Sequence, residues 1–468
     1  LADSNTITFV PLKPLKAAQG YMLVMTTDLK DSSGKSVQGS TTWDTGRQDI
    51  NTNPLSSAAQ LQLQGLVNSL VNPVLGAGFD REDITYVSAF TTQSVANSLD
   101  TIKKVMISRF AQLAAEGSPA AATALPAITV GDAAAAPNAM EALGLVNSTV
   151  VAGAVEQGKQ GLPAQVQAAI DATDFSVLET CGGLVGTVSG QLAAQWGGLN
   201  DFAVAISTGI LAQAGPFCAA QRYEGNIALP YFLGVPSAEN PLAPVNDFWK
   251  AACDSGIVLA GAPQELLADA EPGPNAQMCS ALGLADVRIN GEMLDNARNI
   301  TKFNPYPQPT GGNMGTETLD VQVTIPDPAI AGALGFPISM PEAGWPVVIL
   351  AHGITSKKED MLAITGTLSL AGVASIAIDQ PLHGSRGFDL NGDGTDEINA
   401  TTVSATHYMN LASLPTARDN LRQSVSDLLG LRQGLNAVVD TTAMQGVKFD
   451  TSRVSIMGVS LGPITGGN

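Results

Sequence analysis

The chain is short of positive charge. It carries 23 lysines and arginines against 42 aspartates and glutamates, a formal net charge of −19 with a pI near 4.4. It therefore offers no basic face of the kind that nucleic acid requires. An acidic surface keeps a protein soluble and is common in proteins that work outside the cell or in salty water. The sequence also lacks any run of about 18 or more apolar residues, so no transmembrane helix is expected. No repeat of fixed period runs through it, and none of the four cysteines sits in a C-x-x-C pair. Those cysteines (Cys181, Cys218, Cys253 and Cys279) form an even set within one hundred-residue stretch. They fit two disulfides made in an oxidising compartment, with three pairings open; four buried thiols are the alternative.

What is present is ample apolar content, 45 % of 468 residues, enough for about three domains. Residues 6–10 and 21–27 read as strands, and the Pro11-Leu-Lys-Pro-Leu15 link between them resembles the edge of an immunoglobulin-like module. Residues 58–71 and 94–113 have helical spacing, and Ile84–Phe90 is strand-like. Residues 117–138, rich in Ala, Pro and Gly, read as a surface connection or a loosely ordered insert. Tyr223–Leu233 is a strand interrupted by Pro230, which predicts a sheet edge. Residues 234–316 are loop-rich. Thr318–Ile325 alternates cleanly and opens the last region. From Trp345 onward strands and helices alternate: Val347–Ala351, a helix over 360–370, Val373–Ile378, a long loop from 379 to about 413, an amphipathic helix over 416–435, and the strand Arg453–Met457. This order predicts a parallel sheet with crossover helices. The expected organisation is a β-rich, immunoglobulin-like start with a helical part and an Ala/Pro linker over 1–140, a helical and loop-rich, cysteine-containing region over 141–316, and an incomplete α/β domain over 317–468.

The chemistry is concentrated at the far end. The strand 453–457 runs directly into Gly458-Val-Ser-Leu-Gly462, a G-x-S-x-G pattern. In that pattern the serine crowns a strand-to-helix turn too tight for side chains at the two glycines. Pro463 falls in the first helical turn, where its missing N–H costs nothing. Ser460 is the expected nucleophile. Its oxyanion hole is expected from the N–H of Leu461 and from the loop after the earlier strand, at Ile354, with Gly353 letting that loop turn closely. His352 precedes the nucleophile in chain order and is read as a structural histidine rather than a base. His383 and His407 receive no triad role. Asp379, just after a buried strand, is read as fixing a loop. Asp389, Asn391 and Asp393 followed by Gly394 copy the first half of an EF-hand loop. The twelfth place is Ala400, so Asp396 is the candidate for the final oxygen; a polar turn without calcium is the alternative.

Five segments together resemble the bacterial extracellular lipases of the virulence-factor type, a family of secreted lipases and surface-exposed lysophospholipases. They are Phe9–Leu15, Val348–Thr355, Ala374–Gly384, Ala417–Gln423 and Gly458–Gly462. The resemblance implies a lipase N-terminal region followed by an α/β-hydrolase domain, a secreted or outer-membrane location, Ser460 as nucleophile, and an acid and histidine supplied by polypeptide beyond residue 468. Two positions depart from it: Val459 stands where the family usually has His, and Pro463 where it usually has Gly. The reading is a serine ester hydrolase of acyl lipids, with a lipid or ester substrate at a membrane surface, no nucleic-acid partner, and no required cofactor beyond a candidate Ca2+. A general carboxylesterase, or an adhesion protein with an inert hydrolase-like half, are the alternatives. Leu1 in place of an initiator Met is compatible with a removed signal or lipid-anchor segment.

Overall fold

The computed structural model describes residues 7–93, 96–115, 126–312, 315–436, 439–440, 444 and 446–467. The chain divides into two compact units, residues 1–97 and 98–468.

The first unit is built on one antiparallel pair, β1 (Gly20–Thr26) and β2 (Ile84–Thr91). Between them lies α1 (Ala58–Gly76). Ser57 caps it: its hydroxyl accepts from the Gln60 N–H, and the Gln60 side chain accepts from the Ser57 N–H. Val71 and Val74 from this helix meet Ile84 and Val87 in a small apolar core. The immunoglobulin-like start expected from the sequence is not what the described residues of this unit form. Its sheet has two strands rather than two packed layers, and residues 7–10 are outside regular structure. β-formers at 7–10 have no partner strand here, and a strand without a ladder is not a strand.

The second unit opens with α2 (Asn97–Ala115) and contains a seven-stranded mixed sheet. Its strands are β3 (Ile128–Asn138), β4 (Ala220–Pro230), β5 (Thr316–Pro326), β6 (Trp345–Ala351), β7 (Ala374–Ile378), β8 (Val439–Asp440) and β9 (Phe449–Gly458), in the spatial order β8-β3-β4-β5-β7-β6-β9. β3, β4, β5 and β7 pair antiparallel in succession; β7, β6 and β9 run parallel, as does the short β8 beside β3. The sheet is therefore mixed, and it draws strands from both sides of residue 316. Two expectations are corrected. Residues 128–138 form β3 rather than a surface connection or loosely ordered insert, with Ile128 and Val130 buried; residues 117–125 of that stretch lie outside the described residues. β4 is interior, not an edge: Pro230 is its last residue, opposite Thr316, where no further ladder bond is required of it.

Helices cover both sheet faces. α5 (Leu414–Asn436) lays Leu428, Leu431 and Leu435 on the face carrying Val347, Ile349 and Ile376. α4 (Leu362–Leu370) packs with Met361 on the opposite face, against Val348, Leu350 and Ala377. Burial on both faces explains why β6 and β7 read as continuous apolar runs. α3 (Asn200–Cys218) centres a separate helical core with Leu184 and Trp196. The Cys181–Cys218 bridge ties that core together, and Cys253–Cys279 ties a loop-rich region around Phe232 and Trp249.

Candidate active site

β6 and β9 are neighbours in the sheet, so the loop leaving one and the turn leaving the other emerge side by side. At the end of β9 the chain reverses into α6 (Leu461–Gly466) through Ser460. Ser460 has φ 54° and ψ −105°, a left-handed conformation that a residue with a Cβ adopts only when its surroundings impose it. The surroundings here are two backbone bonds and two glycines. The Val459 N–H donates to the Ala351 carbonyl (3.1 Å), and the Gly462 N–H donates to the Val459 carbonyl (2.9 Å). A Cβ on Gly458 would stand 2.6 Å from the Gly462 carbonyl carbon, and one on Gly462 would collide with the Ala351 carbonyl oxygen. The spacing in G-x-S-x-G is thus required by close backbone approach at both ends. The side chain of Ser460 is exposed.

The loop after β6 comes directly against it. A Cβ built on buried Gly353 would lie 3.1 Å from Ser460 Cβ and 3.8 Å from Ser460 Oγ. Gly353, Ser460 and Leu461 are therefore brought together, and Ile354 and Leu461 share one apolar cluster with Leu382, Ile398 and Tyr408 from the long loop. Among the described residues, the backbone N–H groups of Ile354 and Leu461 have no acceptor, and Ser460 Oγ has no hydrogen-bond partner. Leu461 is the first residue of its helix, where an unbonded N–H is inherent.

No histidine reaches the serine by a hydrogen bond. His352 is fully buried and both its ring nitrogens are committed: Nε2 accepts from the Gln380 N–H (2.9 Å), which leaves the proton on Nδ1 to be donated to the Gly353 carbonyl (2.8 Å). Burial holds its pKa below the usual histidine value, partly countered by the Gly353 bond and by Asp379. His383 is also fully buried, with Nδ1 on the Pro381 carbonyl (2.8 Å), and burial pushes its pKa down to about 4. Its ring stacks edge-on between His352 and Tyr408. His407 Nδ1 accepts from the Asn399 N–H. Asp379 does what a loop-fixing residue does. It accepts from the backbone N–H and the ammonium of Lys358 (2.7 and 2.9 Å), and from the N–H and hydroxyl of Ser385 (both 3.0 Å). Although burial opposes its charge, Lys358 and these bonds hold its carboxyl below the usual range.

Carboxylate oxygens of Asp389, Asp393 and Glu397 lie within 4.8 Å of one another. Asn391 belongs to the same turn, its Oδ1 accepting from the Asp393 N–H. Asp396 points elsewhere and accepts from Asn399 Nδ2 (2.7 Å). The third carboxylate of this group is Glu397, one position beyond Asp396. The donor set is all oxygen and mostly anionic, which suits Ca2+. Besides Glu397, sequence reasoning passed over Gln380, which bonds both the ring and, through Nε2, the carbonyl of His352 (2.5 Å). It also passed over Lys358. Gln380 lies within the Ala374–Gly384 segment but has no role there by residue type, and Lys358 carries no motif; the fold brings Gln380 to His352 and Lys358 to Asp379.

The comparison with known proteins falls on the other end of the chain. Residues 1–123 match the bacterial virulence factor lipase N-terminal family. That match covers about a quarter of the chain and is a likeness of this N-terminal segment. No curated protein matches the chain. The match to this lipase family spans the first unit and α2, and stops short of every residue around Ser460. No described helix is long and apolar enough to cross a membrane.

Proposed function

We propose that the chain carries the nucleophile and oxyanion hole of a serine carboxylic-ester hydrolase that acts on acyl lipids. One observation carries the reading: an exposed serine held at positive φ, between two glycines that admit no side chain, directly beside Gly353 of the preceding loop. A left-handed serine is held at a cost of order 1–3 kcal/mol and persists only where the surroundings enforce it. Such strain, with the hydroxyl turned out of the sheet, is what a nucleophile elbow requires. The seven-stranded sheet then reads as the front of an α/β-hydrolase domain.

In this reading Ser460 Oγ attacks the ester carbonyl carbon as its proton passes to a base. The carbonyl electrons move onto the oxygen, where the Leu461 and Ile354 N–H groups meet the charge. Collapse expels the alcohol, which takes the proton, and leaves an acyl-serine; water, activated by the same base, then releases the acid. None of the three histidines of this sequence hydrogen-bonds Ser460, so the base is not assigned to any of them. The acyl-lipid substrate class rests on the family match. Two disulfides support a secreted or outer-membrane location. A calcium ion among Asp389, Asp393 and Glu397 would brace the long loop that carries Leu382 and Tyr408.

The test is turnover of p-nitrophenyl esters of rising chain length by the intact protein and by Ser460→Ala. The reading requires loss of at least 10³-fold in kcat, and residues 1–468 expressed alone should be inactive. Full activity in Ser460→Ala would overturn it.

A further inference from the structure

One peptide unit at the site is held from behind, and the group that holds it is His352. In a trans peptide the C=O and the following N–H point in opposite directions. Fixing the Gly353 carbonyl therefore fixes the Ile354 N–H. The Gly353 carbonyl accepts from His352 Nδ1 at 2.8 Å and, more distantly, from the Ser356 N–H at 3.3 Å. The imidazole is itself immobilised. Its Nε2 accepts from the Gln380 N–H, and Gln380 Nε2 donates to the His352 carbonyl, so strand-end and loop are bonded reciprocally. Glycine at 353 has no side chain of its own to oppose rotation of this peptide; the lock has to come from outside. Thr355, next in the loop, is at φ 62°, and its hydroxyl donates to the Ile354 carbonyl (2.6 Å), which pins the far side of the same turn.

We propose that His352 is the positioning residue of the oxyanion hole: by donating Nδ1–H to the Gly353 carbonyl it holds the Gly353–Ile354 peptide with the Ile354 N–H turned toward the charge that forms beside Ser460. This deepens, and rests on, the serine-hydrolase reading. The role needs the neutral Nδ1–H tautomer. A proton on Nε2 would face the Gln380 N–H, donor against donor, and release the ring. Burial keeps the ring neutral, in keeping with that need. His352 touches no reacting atom in this scheme, and its effect is on where a backbone donor points before the substrate arrives.

The experiment compares His352→Leu and His352→Asn with the wild type in the intact protein. Leu removes the donor. Asn places an amide N–H where Nδ1–H stood and lacks the acceptor offered to Gln380. Misplacing one oxyanion donor costs about 10²-fold to 10³-fold in kcat. We expect His352→Leu to lose about 10²-fold in kcat with KM changed by less than about threefold, and His352→Asn to recover most of that loss. Equal losses in both variants, or a loss falling on KM alone, would overturn the proposal. Nitrogen-15 spectra of the wild-type histidines give a reading independent of variant folding. His352 should show a protonated Nδ1 and an unprotonated Nε2 at pH 7, and the reverse tautomer would overturn the proposal outright. If Ser460→Ala retains full activity, the hydrolase reading falls first. If Ser460 is essential while His352→Leu keeps wild-type kcat, only the positioning role falls.

Discussion

Acid should weaken this fold in part through the buried ring of His383. His383 is fully buried, and burial holds its pKa down to about 4 from 6.5. The Pro381 carbonyl and Asp379 pull it up; His352 and Arg386, the other titratable neighbours named with it, push it down, and the Tyr408 ring covers its edge. The native state keeps the ring neutral between these two values, whereas the unfolded chain takes up a proton below 6.5. Proton uptake by the unfolded state lowers stability as pH falls. At about 1.36 kcal/mol per unit, the window from 6.5 to about 4 is worth about 3 kcal/mol. That stability is complete above pH 6.5 and lost progressively toward pH 4. Asp427 acts in the opposite sense in part of the window, because burial raises its carboxyl to about 6 despite Arg386. The clean quantity is therefore the difference from His383→Asn, which retains a donor for the Pro381 carbonyl and removes the titration. Urea unfolding at pH 7.5, 6.5, 5.5 and 4.5 should find the variant less stable at pH 7.5, with its deficit shrinking by about 2–3 kcal/mol by pH 4.5. A deficit that stays constant across the series would refute the argument.

Three further outcomes follow from the same geometry. Gly462→Ala, whose methyl would meet the Ala351 carbonyl, should abolish ester turnover by displacing Ser460 and lower the melting temperature, measured by calorimetry. Removing Cys181–Cys218 or Cys253–Cys279 as paired Cys→Ala variants should cost about 3–4 kcal/mol each in urea unfolding, from loops of 37 and 26 residues. Millimolar Ca2+ should raise the melting temperature of the wild type, and Asp389→Asn, which removes one of three converging carboxylates, should abolish that rise.

The strands that build the site were legible because burial on both faces writes itself as unbroken apolar sequence. Val347–Ala351 and Ala374–Ile378 are such runs, and the helix predicted over 416–435 is α5. The elbow was legible because two close backbone approaches demand glycine at fixed spacing around Ser460. β3 was not legible. Its Ala133–Ala136 run has no β-branched residues, and its place beside β4 depends on Gly225, whose missing Cβ leaves room for the Thr129 carbonyl. The tertiary partner made that strand, against its local propensity. The first unit differed for the opposite reason: β-formers at 7–10 were present, but among the described residues no second layer was. Glu397 was hidden because the oxygens converge by the path of the turn, and Gln380 because its value lies in bonds to a residue 28 positions away.

The central claim is that Ser460 is an activated nucleophile, and covalent capture tests it most directly. Intact protein treated with a p-nitrophenyl alkylphosphonate, which mimics the tetrahedral intermediate, should gain the mass of one phosphonyl group. Peptide mapping should place that group on Ser460, and Ser460→Ala should gain none. An unmodified protein, or the adduct on another residue, would contradict the account.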